Sequence, residues 1–227
     1  ERPGGCCPYQ ADNICQCYNS QCPVCGYDTE QERTSNLPKL MDFRTIVDIP
    51  VPGFRIEPGY KILTVGSCFA DHLGKKFRDE AFEADVNPYG VMYNPASILH
   101  TVERYDKAMD IAIFTLGTNH IYRLKETGEI VDNCQKRPQK LFQEEELTVD
   151  DCCGYLEKAI GILRHRNHSV KVIITVSPIR YAKYGYHGSQ LSKATLLLAV
   201  DRLVRCPAFE CSGNLSYFPA YEIVNDE

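Results

Sequence analysis

No stretch of this sequence is long and apolar enough to cross a bilayer. The longest apolar runs, such as Leu196-Leu197-Leu198-Ala199-Val200, fall far short of the roughly 20 residues that a membrane helix needs. No cluster of Lys and Arg interleaved with aromatics occurs either. The 25 basic and 30 acidic side chains leave a formal charge of -5, which argues against nucleic acid as the main partner, because phosphate binding needs a basic face. A secretory apolar segment is missing near the start, and no internal repeat is visible. The chain opens at Glu1 rather than Met, so a missing leader carries little weight; a cytoplasmic location is the expectation.

What is present is enough for one domain with a substantial core: 227 residues, 44% of them hydrophobic. Six of the twelve cysteines crowd into the first 25 residues. Residues 1–36 are otherwise rich in Gly, Pro, Asn and Gln, and they read as a disordered extension or a small zinc module. Cys22-Pro23-Val24-Cys25-Gly26 has the spacing of half a zinc site, but Cys15-Gln16-Cys17 is spaced wrongly for the other half. The remaining cysteines, Cys68 and Cys134 among them, fit reduced thiols acting as small apolar residues. No cofactor is called for, and no metal is assigned to the site residues.

From residue 42 the pattern changes. Phe43 to Val47 alternates like a short strand. Lys61-Ile62-Leu63-Thr64-Val65 reads as a buried strand, and Phe69 to Glu80 follows with helical spacing that puts Phe69, Leu73 and Phe77 on one face. A short strand over Phe82–Val86 leads to Asn87-Pro88-Tyr89-Gly90. Pro95 to Tyr105 reads as a helix with Pro95 in its first turn, and Asp110 to Gly117 as a further strand. Thr127-Gly128 marks a hairpin turn. Thr148 begins a helix with Asp151 placed for a capping box, Val170–Val176 is a β-branched strand, and Gln190–Val204 is an apolar helix. Tyr217 begins a strand or loop. Strands alternating with helices imply right-handed crossovers and a mostly parallel sheet with helices on both faces.

In such a sheet ligands gather beyond the carboxyl ends of the strands. Three strands end there in small or polar groups: Gly66-Ser67, Gly117-Thr118-Asn119 and Ser177-Pro178. Ser67 stands between a strand end and a helix start, where backbone N–H groups and the helix dipole favour an anion. That placement suits a nucleophile whose attack creates an oxyanion; it equally suits a helix cap, and on spacing alone the cap is the commoner case. Asn119 could aim its amide at the same oxyanion or satisfy its own loop. Gly90 could offer a bare N–H or serve only as a turn residue. Among other candidates, His120 adjoins Asn119, and His187 lies in a stretch read as a loop able to cover the site. Arg180 and Lys193 either bind an anionic substrate group or are surface charges. Cys68 is a rival nucleophile or a buried apolar thiol.

The string Ile62-Leu63-Thr64-Val65-Gly66-Ser67-Cys68-Phe69-Ala70 resembles the signature of the GSCFA domain family. The resemblance continues through Asn87 to Pro95, Thr115-Leu116-Gly117-Thr118, Asn133-Cys134-Gln135-Lys136, Thr175 to Arg180, Ser189 to Thr195 and Tyr217 to Glu222. It covers about residues 42–227 and leaves 1–36 outside. It implies a branch of the SGNH (GDSL-type) hydrolases: a three-layer α/β fold with a flavodoxin-like, mostly parallel sheet, hydrolysing esters. By the same resemblance Ser67 is the nucleophile, with Gly90 and Asn119 completing the catalytic set; from their places in the chain, His120, Arg180 and His187 are expected to bind substrate. The substrate is a small-molecule or glycan acyl ester, such as an acetylated sugar.

Two departures qualify that implication. The family's general base belongs to an Asp-x-x-His block after Tyr-Phe-Pro-Ala-Tyr-Glu, and no such block precedes Glu227. Gln135 and Tyr181 also stand where relatives often carry His, and neither can replace an imidazole. The chain is therefore expected to be C-terminally incomplete and inactive as it stands. The competing expectation is a non-catalytic binding module that keeps the pocket.

Overall fold

The structure, a computed structural model, describes residues 45–132, 134, 137–210 and 213–226. The cysteine-rich segment 1–36 and its zinc half-site lie outside them, as do Phe43 and Arg44 of the first expected strand. The described remainder of that stretch, Thr45 to Val47, is not a strand. Ile46 is 75% exposed and prolines at 50 and 52 follow, so nothing there buries an apolar face or sustains a ladder.

Five strands form one parallel sheet: β1 (Lys61–Gly66), β2 (Glu83–Val86), β3 (Ile111–Leu116), β7 (Lys171–Val176) and β8 (Leu215–Phe218), in the order β2-β1-β3-β7-β8. Counted along the chain this is 2-1-3-4-5, the flavodoxin-like order, whose direction reverses between β1 and β3. Between β3 and β7 runs a second, antiparallel sheet of β4 (His120–Leu124), β5 (Ile130–Val131) and β6 (Phe142–Glu146). The β4–β5 hairpin turns at Thr127-Gly128 as the residues predict. Strand β6 was not legible, because Phe-Gln-Glu-Glu-Glu has neither β-branched residues nor apolar alternation.

The parallel strands are buried on both faces, which is why they read as near-continuous apolar runs. Leu63, Val65, Ala112, Phe114, Leu116, Val172, Ile174 and Val176 point to one face. There they pack with helices α2 (Pro95–Arg104), α3 (Val149–Arg166) and α4 (Gly185–Val204). Ile62, Ile111, Ile113 and Ile173 point to the other face, toward Leu73 and Phe77 of α1 (Cys68–Asp79) and toward Phe54, Ile56 and Tyr60. The expected α/β fold with helices on both faces is the one observed. Two short helices, α5 (Pro207–Glu210) and α6 (Ala220–Asp226), flank β8.

The caps follow the chemistry of the sequence. Asn94 Oδ1 accepts from Ser97 N–H and Pro95 occupies the first turn of α2, while Thr148 and Asp151 form the reciprocal capping box of α3. Helix α4 begins five residues before the expected Gln190, at Gly185. His187 therefore sits on its exposed first turn and not in a covering loop.

Candidate functional site

The site is built at the reversal point, where β1 and β3 end side by side. Gly66 closes β1 with φ +149°, and a Cβ there would run into the side chain and carbonyl of Thr115. Only glycine allows this close approach of the two strands. The next residue, Ser67, is the N-cap of α1: its Oγ accepts from Phe69 N–H at 3.2 Å, and its own N–H donates to Thr115 Oγ1 at 3.0 Å. The two hydroxyl oxygens are 3.4 Å apart. Ser67 is 1% exposed, and among the described residues no imidazole or carboxylate is hydrogen-bonded to its hydroxyl. Ser67 is thus a capping serine, on the anion-favouring end of a helix.

The Asn87–Gly90 turn is tied to this junction by Asn87. Its Oδ1 accepts from Gly66 N–H at 2.8 Å, and its Nδ2 donates to Asp71 Oδ1 at 2.6 Å. Gly90 has φ +96° and is exposed, and its N–H donates back to the Asn87 carbonyl at 2.8 Å. That N–H is spent on the turn and is not aimed at Ser67. Asn119 is likewise engaged elsewhere: its Nδ2 donates to the Leu147 carbonyl at 2.9 Å and its N–H to Ser192 Oγ at 3.1 Å, which leaves Oδ1 buried without a partner. Ser67, Gly90 and Asn119 thus lie on neighbouring loops of one sheet edge, and no hydrogen bond joins them.

Beside the junction opens a cleft of about 560 Å³, bordered by Tyr93, Thr118, His120, Tyr181, Lys183 and Tyr184 among others. The ring of His120 stacks on Tyr184, with centroids 3.7 Å apart and planes 6° from parallel. Its Nδ1 is 3.3 Å from Glu144 Oε1 without hydrogen-bond geometry. Burial lowers the His120 pKa against the pull of Glu146 and Glu144, which favours the neutral ring. Glu144 is occupied by Lys183 Nζ at 2.7 Å and by Tyr122 OH at 2.8 Å. Of the three residues expected to bind substrate, only His120 lines this cleft. Arg180 is exposed and donates to Asn225 Oδ1 at 3.2 Å, and His187 faces solvent on α4.

Tyr93 and Tyr181 both line the cleft. Their rings meet edge to face at 6.2 Å, Tyr181 packs over Gly117, and burial raises both phenol pKa values. Cys68 itself is exposed and not a buried apolar thiol, because the first turn of α1 turns it outward. Lys193 is the reverse correction: it is 1% exposed and no surface charge. The parts that residue reasoning passed over are Thr115, Asn87, Tyr93 and the Lys183–Glu144 pair. Ser189, Ser192 and Lys193, at i, i+3 and i+4 on α4, form a polar stripe that the structure turns inward.

Among the described residues no group of three or more His, Cys, Asp or Glu side chains is placed to hold a metal ion. None of the described helices is long and apolar enough to cross a membrane.

The GSCFA family model matches residues 61–112 and 100–227. No curated protein matches the chain. Several solved structures are similar at low identity, two of them described as lipase or esterase. One is a possible lipase from Chitinophaga pinensis DSM 2588, at 13% identity and TM-score 0.44, covering 71% of this chain and 68% of that one. The other is an acetyl xylan esterase, Est2A, from the rumen bacterium Butyrivibrio proteoclasticus, at 10% identity and TM-score 0.40, covering 73% of this chain and 56% of that one.

Proposed function

This chain belongs to the GSCFA family, and from that premise we propose that it is a serine hydrolase of acyl esters with Ser67 as nucleophile. The observation that carries the reading is the position of Ser67, at the reversal point of a 2-1-3-4-5 sheet and at the N-cap of a helix. Ligands of open α/β sheets bind at that point, and the helix end favours the negative charge that acyl transfer develops. In the proposed reaction Ser67 Oγ bonds to the carbonyl carbon and its proton passes to a base. The alcohol leaves with a proton, and water then releases the acid from the acyl-enzyme. The neighbouring cleft would take the alcohol part. Its walls of Tyr93, Tyr181, Tyr184 and His120 suit the flat faces of a sugar ring, and an acetylated carbohydrate is the substrate form proposed.

An unassisted serine hydroxyl is a weak nucleophile, so the test supplies the base. Short-chain aryl esters are offered to the chain and to Ser67→Ala with imidazole added. The expected result is imidazole-dependent hydrolysis that the variant lacks beyond the free-imidazole background. Equal rates in the two proteins sink the hydrolase reading. A second reading, a binding module without turnover, is supported by the 1% exposure of Ser67 and by its capping bond. Equal rates together with saturable sugar-ester binding in the cleft would favour it.

A further inference from the structure

One charged side chain in the core has no role in the site so far. Lys193 of α4 is 1% exposed, and burying an ammonium is costly unless something is gained by it. Its Nζ donates to the Gly117 carbonyl at 2.5 Å and lies 5.4 Å from the centroid of the Tyr181 ring. Burial alone accounts for its lowered pKa, and no carboxylate among the described residues offsets its charge.

Lys193 does not act by itself. One turn of α4 presents Ser189, Ser192 and Lys193, all buried, to the two loops that leave the carboxyl ends of β3 and β7. Ser189 Oγ accepts from Tyr181 N–H at 3.3 Å. Ser192 Oγ accepts from Asn119 N–H at 3.1 Å and lies 3.1 Å from Thr118 Oγ1. In the same stretch Gly117 and Thr118 both donate to the Tyr93 carbonyl, at 2.8 and 2.9 Å, and His120 N–H donates to Thr118 Oγ1 at 3.1 Å. Gly117 is two residues beyond Thr115, which holds the Ser67 N–H, and Thr118 and His120 line the cleft.

We propose that Lys193 is the positioning residue of this site: its ammonium, held on the Gly117 carbonyl, sets the Gly117–His120 loop that joins the serine junction to the cleft wall. Because its charge is uncompensated, it also stands behind the crevice as a fixed positive group and favours an anionic transition state over a neutral ester. The second effect rests on the esterase reading; the first does not.

Amide hydrogen exchange on the full chain separates the two. In Lys193→Met the amides of Gly117, Thr118, Asn119 and His120 are expected to exchange about tenfold faster, as loss of one ordinary hydrogen bond allows. Those of β1 and α3 should not quicken. Ser192→Ala is the second variant, expected to quicken Asn119 foremost. Unchanged exchange at the four amides in both variants, or an equal rise throughout the domain, overturns the proposal. In the imidazole-assisted assay Lys193→Met is expected to lower kcat with KM held within about twofold, the mark of an interaction made in the transition state. If the unaltered chain shows no hydrolysis that depends on Ser67, the esterase reading falls and the exchange result alone decides the role of Lys193.

Discussion

Replacing Lys193 with Met should change how stability depends on pH, with a sign that can be worked out beforehand. Burial drops the amine from 10.5 to about 8, so between these values the unfolded chain holds a proton that the folded chain has released. Stability then rises with pH across the window; the contribution is complete above 10.5 and lost as pH falls through about 8. At about 1.4 kcal/mol per unit, the integral from about pH 7 to about pH 10 is about 2.5 kcal/mol. Met fills similar volume without titrating, so the unaltered protein should gain about that much on the variant over the interval. At about pH 7 the variant should be the more stable of the two, even though an unpaired Gly117 carbonyl costs it about 1–3 kcal/mol of the benefit. Urea unfolding of both proteins at the two pH values measures the difference, and other titrations common to both cancel. A stability difference that does not move with pH would refute the claim that Lys193 is a buried, uncompensated amine. Higher global stability with faster local exchange at Gly117–His120 is the pattern expected of a residue kept for the site at some expense to the fold.

Gly66→Ala should destabilise by about 2–4 kcal/mol, since both the positive φ and the contact with the Thr115 backbone exclude a Cβ. An unshifted unfolding midpoint would show that the two strands do not need that approach. His100 Nδ1 lies 2.7 Å from Asp132 Oδ1, and that bond holds the imidazole pKa above its usual value against the effect of burial. The stability it brings is whole below the usual value of 6.5 and lost as pH rises through the raised one. His100→Gln should therefore forfeit an advantage that shrinks between about pH 5 and about pH 9, and a difference that stays constant over that range would exclude the pair as its cause.

The parallel sheet, the capping box of α3 and Ser67 at a strand-to-helix turn were legible because each rests on local rules. β-branched runs of five or six residues, helical periodicity and polar caps write themselves into neighbouring positions of the chain. The extra strand β6 was not legible, because its stability comes from pairing with β4, through His120 to Glu146 and Leu124 to Phe142, and not from its own composition. Nor could spacing tell that Gly90 spends its N–H on its own turn. The same holds for Asn119, whose amide is used on Leu147, 28 residues away.

By itself the sequence determined the alternation of parallel strands and helices, the family and the residue at the reversal point. Only the tertiary structure decided which polar groups have partners, since a donor's nearest acceptor depends on packing across elements and not along the chain. Lys193 shows this most plainly: one lysine among polar and apolar neighbours, with the look of a surface charge. Folding takes it out of water and sets it on Gly117, 76 positions earlier in the chain.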